Sequence, residues 1–116
     1  LKEKEFLKAD LREVNLSETD LRGAVINTSQ LQGADLRGAD LEDVVAFSSR
    51  FDGADLRDAN FTNAMLMQSR FNDAAIEGTD FSNAVIDLTQ LKALCSRASG
   101  VNSRSGLSTR ESLGCR

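Results

Sequence analysis

From Phe6 to Leu91 an apolar residue recurs at every fifth position, and only Ala46 among these centres is small. Two places before each centre from Leu11 onward, from Ala9 to Thr89, stands a small or β-branched residue; Lys4, before Phe6, is the exception. A period of five matches neither a 3.6-residue helix nor a long alternating strand. It matches short extended segments joined by regular corners. Residues i and i−2 of an extended segment point the same way, so each centre and the small residue before it point inward. The position two after the centre falls at the corner. Between Lys8 and Asn83 ten of these 16 corner residues are Gly, Asn or Asp, types that tolerate left-handed backbone.

Stacked coils place like above like. A lag of 15 residues never sets one central Phe on another, whereas a lag of 20 sets Phe51 on Phe71 and Phe61 on Phe81. The same lag collects Val25, Val45, Met65 and Val85 in one outward column and Asp20, Asp40, Asn60 and Asp80 in another. Four sides per coil are therefore expected, with residues 6–85 forming about four coils. Each coil is stable chiefly through its neighbours, so both ends need caps. Residues 1–5 are expected to form the N-terminal cap. After Val85 the period changes: Leu88, Leu91, Leu94, Cys95 and Ala98 share one helical face, and Gly100 reads as the stop. Ser108 and Glu111 have capping-box spacing, opening a second short helix that ends at Gly114. Residues 86–116 are thus expected to be a two-helix C-terminal cap.

The units ADLRG-ADLED and FDGADLRDANF resemble the pentapeptide-repeat family, whose consensus is A-(D/N)-L-x-x. The resemblance covers about residues 6–90 and departs from the pattern at Val45-Ala46-Phe47 and Ala75-Ile76. It implies an all-β solenoid, a right-handed quadrilateral β-helix with four pentapeptides per coil.

Composition narrows the chemistry. The chain has no His, which removes the commonest general base and metal ligand, and no Pro, as suits a backbone whose amides are nearly all needed in hydrogen bonds. Residues 1–90 hold 9 Lys/Arg against 17 Asp/Glu, a balance of −8; residues 91–116 hold 5 Lys/Arg against Glu111 alone, a balance of +4. Five cations without interleaved aromatics do not make a nucleic-acid surface. No apolar run approaches a membrane span. The chain opens at Leu1 rather than Met, which reads as a processed or trimmed form. Cys95 and Cys115 are the only cysteines. They lack CxxC or zinc-ligand spacing, leaving a disulfide or two free thiols, and the even count favours the disulfide. The tail, together with the repeats, is similar to pentapeptide proteins of the plant thylakoid lumen. That resemblance implies a Cys95–Cys115 bond and a chloroplast thylakoid-lumen location.

The candidate interaction face is the outward column Val25, Val45, Met65 and Val85 together with Phe47 and Met67, because an exposed apolar patch on a soluble protein marks a contact surface. Two rival readings exist: a terminal segment covers the patch, or Phe47 turns inward where Ala46 leaves space. Asp20, Asp40 and Asp80 form an acidic ladder that could hold a cation, but Arg22 projects nearby. Ser29, Ser49 and Ser69 form an inward column with no His within reach, so the hydroxyls serve the backbone rather than catalysis. An interior filled by Leu and Phe leaves no ligand cavity. No catalytic, cofactor or metal site is expected. The reading is a monomeric, non-enzymatic scaffold or protein-interaction module, with a protein partner and neither nucleic acid nor membrane insertion. The alternatives are redox control through Cys95–Cys115 and, less favoured, a DNA-mimic inhibitor.

Overall fold

The chain turns at every fifth residue because its backbone enters the left-handed region there. The computed structural model describes residues 2–115. Over residues 3–83 every corner has φ between 54° and 76°, whichever residue stands there. Glycine suits this conformation, but Thr28 adopts it at φ 56° although its branched side chain disfavours it. Such strain persists only where neighbours over-determine the backbone. Here they do: the Thr28 N–H donates to Phe47 O at 2.8 Å in the next circuit.

Twenty residues make one circuit. Single-residue parallel bridges join Val25 to Val45, Val45 to Met65 and Met65 to Val85, and the same spacing holds on all four sides. From Val25 to Val85 each bridging residue donates to the circuit below and accepts from it, as in Val45 N–H to Ala24 O at 2.9 Å and Ile26 N–H to Val45 O at 2.7 Å. The centres and the small residues before them fill the interior. Phe51 stacks on Phe71 at 5.0 Å and Phe61 on Phe81 at 5.6 Å. The two stacks meet edge to face across the interior, at 6.0 Å and 6.2 Å, because residues ten apart lie on opposite sides of a four-sided circuit. The register holds through Val45-Ala46-Phe47, and Ala46 stays fully buried.

The segment assigned to an N-terminal cap follows the repeat instead. Glu3 has the corner φ of 60° and Glu5 bridges Val25, so residues 2–5 are coil; Leu1 lies outside the described residues. With nothing beneath them among the described residues, Phe6, Leu11 and Leu16 are only half-buried, whereas Ile26, Leu31 and Leu36 above them are fully buried.

The serine column does serve the backbone, but between circuits. Most corners close by an i to i+3 hydrogen bond, such as Ala24 N–H to Leu21 O at 3.0 Å. At 26–29 that bond is absent. The Ser29 N–H donates to Ser49 Oγ at 3.2 Å, and the Ser49 hydroxyl donates to Ile26 O. The relay repeats one circuit lower through Ser29 (Ala9 N–H to Oγ at 3.1 Å, hydroxyl to Phe6 O at 2.9 Å) and one higher through Ser69. Ser69 has no serine above it and closes its own corner directly. Ser49→Ala would strand a buried donor and a buried acceptor. Thermal unfolding is expected to show a loss of about 1–3 kcal/mol, the usual cost of orphaned polar groups.

Above the last circuit, α1 (Leu88–Arg97) and α2 (Thr109–Leu113) substitute side chains for the missing next circuit. Asp87 Oδ2 accepts the Gln68 N–H at 2.8 Å, Gln90 Oε1 the Phe71 N–H at 3.1 Å and Ser112 Oγ the Phe81 N–H at 2.9 Å. The Arg97 guanidinium donates to Phe71 O at 2.6 Å and to Ala74 O. Between the helices an arm runs down one corner of the prism. Asn102 Nδ2 donates to Gly78 O at 3.0 Å, the Ser103 N–H to Asp58 Oδ1 at 2.7 Å and Arg104 to Gly38 O at 3.3 Å.

Two expectations about the cap are corrected here. Gly100 does not stop α1, which ends at Ala98 in extended backbone. It marks a close crossing, where a Cβ would lie 2.8 Å from Gly78 N at φ +82°. Leu88 is 65% exposed rather than packed, because α1 starts at the corner where Asp87 caps Gln68 and its first residue overhangs that corner. In α2, Ser108 and Glu111 form the reciprocal capping box and Gly114 is left-handed at φ 72°. Cys95 and Cys115 are disulfide-bonded with Cα atoms 5.7 Å apart; Arg116 lies outside the described residues.

Candidate functional site

Strand bridges set Val25, Val45, Met65 and Val85 one above another, with side chains outward because they alternate with the inward centres. Phe47 and Met67 sit one residue past the centres at the adjoining corner. Met65, Met67 and Val85 are 37–40% exposed, and Val25, Val45 and Phe47 are half-buried. Phe47 does not join the buried core: it stays half-buried, with its N–H donating to Asn27 Oδ1 at 2.9 Å. Leu7 and the unforeseen Leu88 extend the apolar strip toward the two ends. The C-terminal arm does not cover it. The arm's contacts fall on Gly38, Asp58 and Gly78, at the corner diagonally opposite, since those positions lie ten residues from the corner carrying Ser48 and Gln68.

The other faces carry most of the charge, much of it in pairs of neighbouring side chains. Arg12 forks both carboxylate oxygens of Asp10, at 2.8 Å and 2.7 Å, and donates its own N–H to the same group. Those bonds lower the Asp10 pKa from 3.8 to about 2. The same fork by Arg22, Arg37 and Arg57 depresses Asp20, Asp35 and Asp55. Arg22 also lies 3.8 Å from Asp40, and Asn60 Nδ2 donates to Asp40 at 3.1 Å, so the acidic ladder meets cations and donors of its own. No cluster of metal-ligating side chains occurs among the described residues. Carboxyls depressed in the folded state stabilise it fully above the unfolded value near 3.8, and that contribution disappears as pH falls through about 2. The melting temperature is expected to stay flat from pH 7 to about 5 and to drop between about pH 4 and 2, less steeply at high salt because the pairs are exposed.

A first groove, of about 480 Å3, lies at the arm's corner between Ser17, Glu18, Arg37, Gly38, Arg57 and Asp58. Both arginines there are committed to Asp35 and Asp55. It holds no nucleophile paired with a base. The second, of about 340 Å3, lies over Phe81, Ala84 and Ile86 between Leu91 of α1 and the end of α2. The interior serines have their hydroxyls committed to backbone carbonyls.

A family model described as pentapeptide repeats matches eight copies over residues 5–44 and 48–85. No curated protein matches the chain. Among solved structures, a pentapeptide repeat protein from the Arabidopsis thaliana thylakoid lumen is 25% identical, with TM-score 0.55, and the match covers 99% of this chain and 90% of that one. HetL, a pentapeptide repeat protein involved in heterocyst differentiation regulation in the cyanobacterium Nostoc, is 30% identical with TM-score 0.48 over 72% of this chain. A plasmid-mediated fluoroquinolone resistance protein is 20% identical with TM-score 0.46, also over 72% of this chain. The chain spans 38% and 48% of the lengths of these last two.

Proposed function

This chain belongs to the pentapeptide-repeat family, whose members form right-handed quadrilateral β-helices, and we propose that it is a non-enzymatic scaffold or protein-interaction module: a four-coil prism closed by a two-helix cap. The observation that carries this reading is the apolar strip of Val25, Val45, Phe47, Met65, Met67 and Val85, which the C-terminal arm leaves uncovered. Such a strip serves a protein partner of one prism, with the module itself monomeric. The lumenal relative, at 25% identity over 99% of this chain, supports placing the protein in the thylakoid lumen, and the Cys95–Cys115 disulfide suits an oxidising compartment. A second reading, redox control of binding through that disulfide, is favoured by its position: it ties α1 to the end of α2 across the arm. Phe47→Ser with Met67→Ser tests the first reading. Both side chains are partly exposed, so the double variant should keep its melting temperature within a few degrees while losing capture of the partner. Unchanged capture of every partner would remove the strip from consideration.

A further inference from the structure

We infer that the groove above residues 83–86 accepts an extended peptide strand from a partner protein, added in the position of the next circuit. One circuit lower, this stretch of backbone is fully used. The Asn63 N–H donates to Ser82 O at 2.8 Å, the Val85 N–H to Ala64 O at 2.8 Å and the Leu66 N–H to Val85 O at 2.9 Å. The equivalent groups of the last circuit are the Asn83 N–H, the Ala84 carbonyl and the Ile86 N–H. None of the three has a partner among the described residues. Here α1 and α2 part, leaving the groove of about 340 Å3 with Leu91 on one wall and Ser112, Leu113 and Gly114 on the other. A row of unpaired donors and acceptors at a sheet edge is a template for strand addition.

The register of the lower circuit specifies what fits. One residue of the incoming strand accepts from Asn83 with its carbonyl. The residue three further on donates its N–H to Ala84 O and accepts from Ile86. The residue between them that lies over Ala84 must be small, continuing the inward Ala64–Ala84 column. The doubly bonded residue points outward beside Val85, where an apolar side chain extends the column Val45, Met65, Val85. This site goes beyond the apolar strip, since backbone groups define it and it stands whether or not the strip binds anything.

The test uses the disulfide-intact protein and a peptide copied from the chain's own strand of this register, acetyl-Phe-Ser-Asn-Ala-Val-Ile-amide. The control peptide has Pro in place of Val and cannot donate to Ala84. In an amide NMR titration to millimolar peptide, the Asn83 and Ile86 N–H resonances are expected to move downfield and saturate. The Pro peptide should bind about tenfold more weakly, the loss of one good hydrogen bond. No saturable shift at Asn83 and Ile86, equal binding of the two peptides, or shifts confined to Val45, Met65 and Met67 would overturn the inference. Concentration-dependent shifts of Asn83 and Ile86 in the protein alone would overturn it in favour of a second copy as occupant.

Discussion

Phe61→Ala is expected to lower the free energy of unfolding by roughly 3–5 kcal/mol, the usual range for deleting a buried ring. Total stabilities of single domains are about 5–15 kcal/mol, so this one change removes a large share. Phe61 is fully buried and touches two of the other three rings, Phe81 stacked at 5.6 Å and Phe51 edge-on at 6.0 Å. The four rings form a closed set, since Phe71 meets both Phe51 and Phe81. The surrounding coil is held by its own backbone ladder and cannot collapse into the void. Phe61→Leu restores the commonest centre residue of this chain and should cost much less, about 1 kcal/mol. Denaturant unfolding of the two variants checks the contrast. Equal losses would contradict this account, in which the cost follows the volume left unfilled.

Opening the Cys95–Cys115 bond should cost on the order of 3 kcal/mol, from freeing a loop of 20 residues in the unfolded chain. The loss should show first at the cap. The Ser112 hydroxyl that holds the Phe81 N–H and the Ser99 carbonyl that holds the Gly78 N–H both lie between the two cysteines. In the Cys95→Ser, Cys115→Ser variant, hydrogen exchange of Gly78 and Phe81 amides should therefore accelerate more than that of Ala39 or Ala59, deep in the stack. A melting temperature identical with and without reductant would contradict both the stabilising role and the redox reading.

The coil geometry was legible in the sequence because every circuit repeats one physical requirement, an inward pair separated by an outward residue. Phe51 over Phe71 and Val45 over Met65 follow from a 20-residue lag alone. Other features depend on partners far apart in the chain or outside the repeat. The serine column suggested backbone bonding, but nothing local shows that Ser49 joins Ser29 and Ile26 of the circuit below. Thr28 in left-handed backbone contradicts its own propensity and is imposed by the ladder. Leu88 has the right spacing for the buried face of α1, yet the helix starts over a corner and leaves it in solvent. Glycine at position 100 reads as a helix stop because that is its commonest use after a helix; its reason here is the crossing with Gly78. The path of the arm, opposite the apolar strip, was not legible at all, since Asn102, Ser103 and Arg104 meet corners 24 to 66 residues earlier.

A photo-crosslinking residue at position 47, compared with one at position 72, tests the central claim most directly. Both positions follow a buried Phe or Ala centre by one residue, but Asn72 lies on a polar corner. In the native compartment, crosslinking from position 47 should give a discrete adduct with one partner, lost when Met67→Ser is added, while position 72 gives none. Equal adducts from both positions, or none from position 47, would contradict an interaction scaffold that works through this strip.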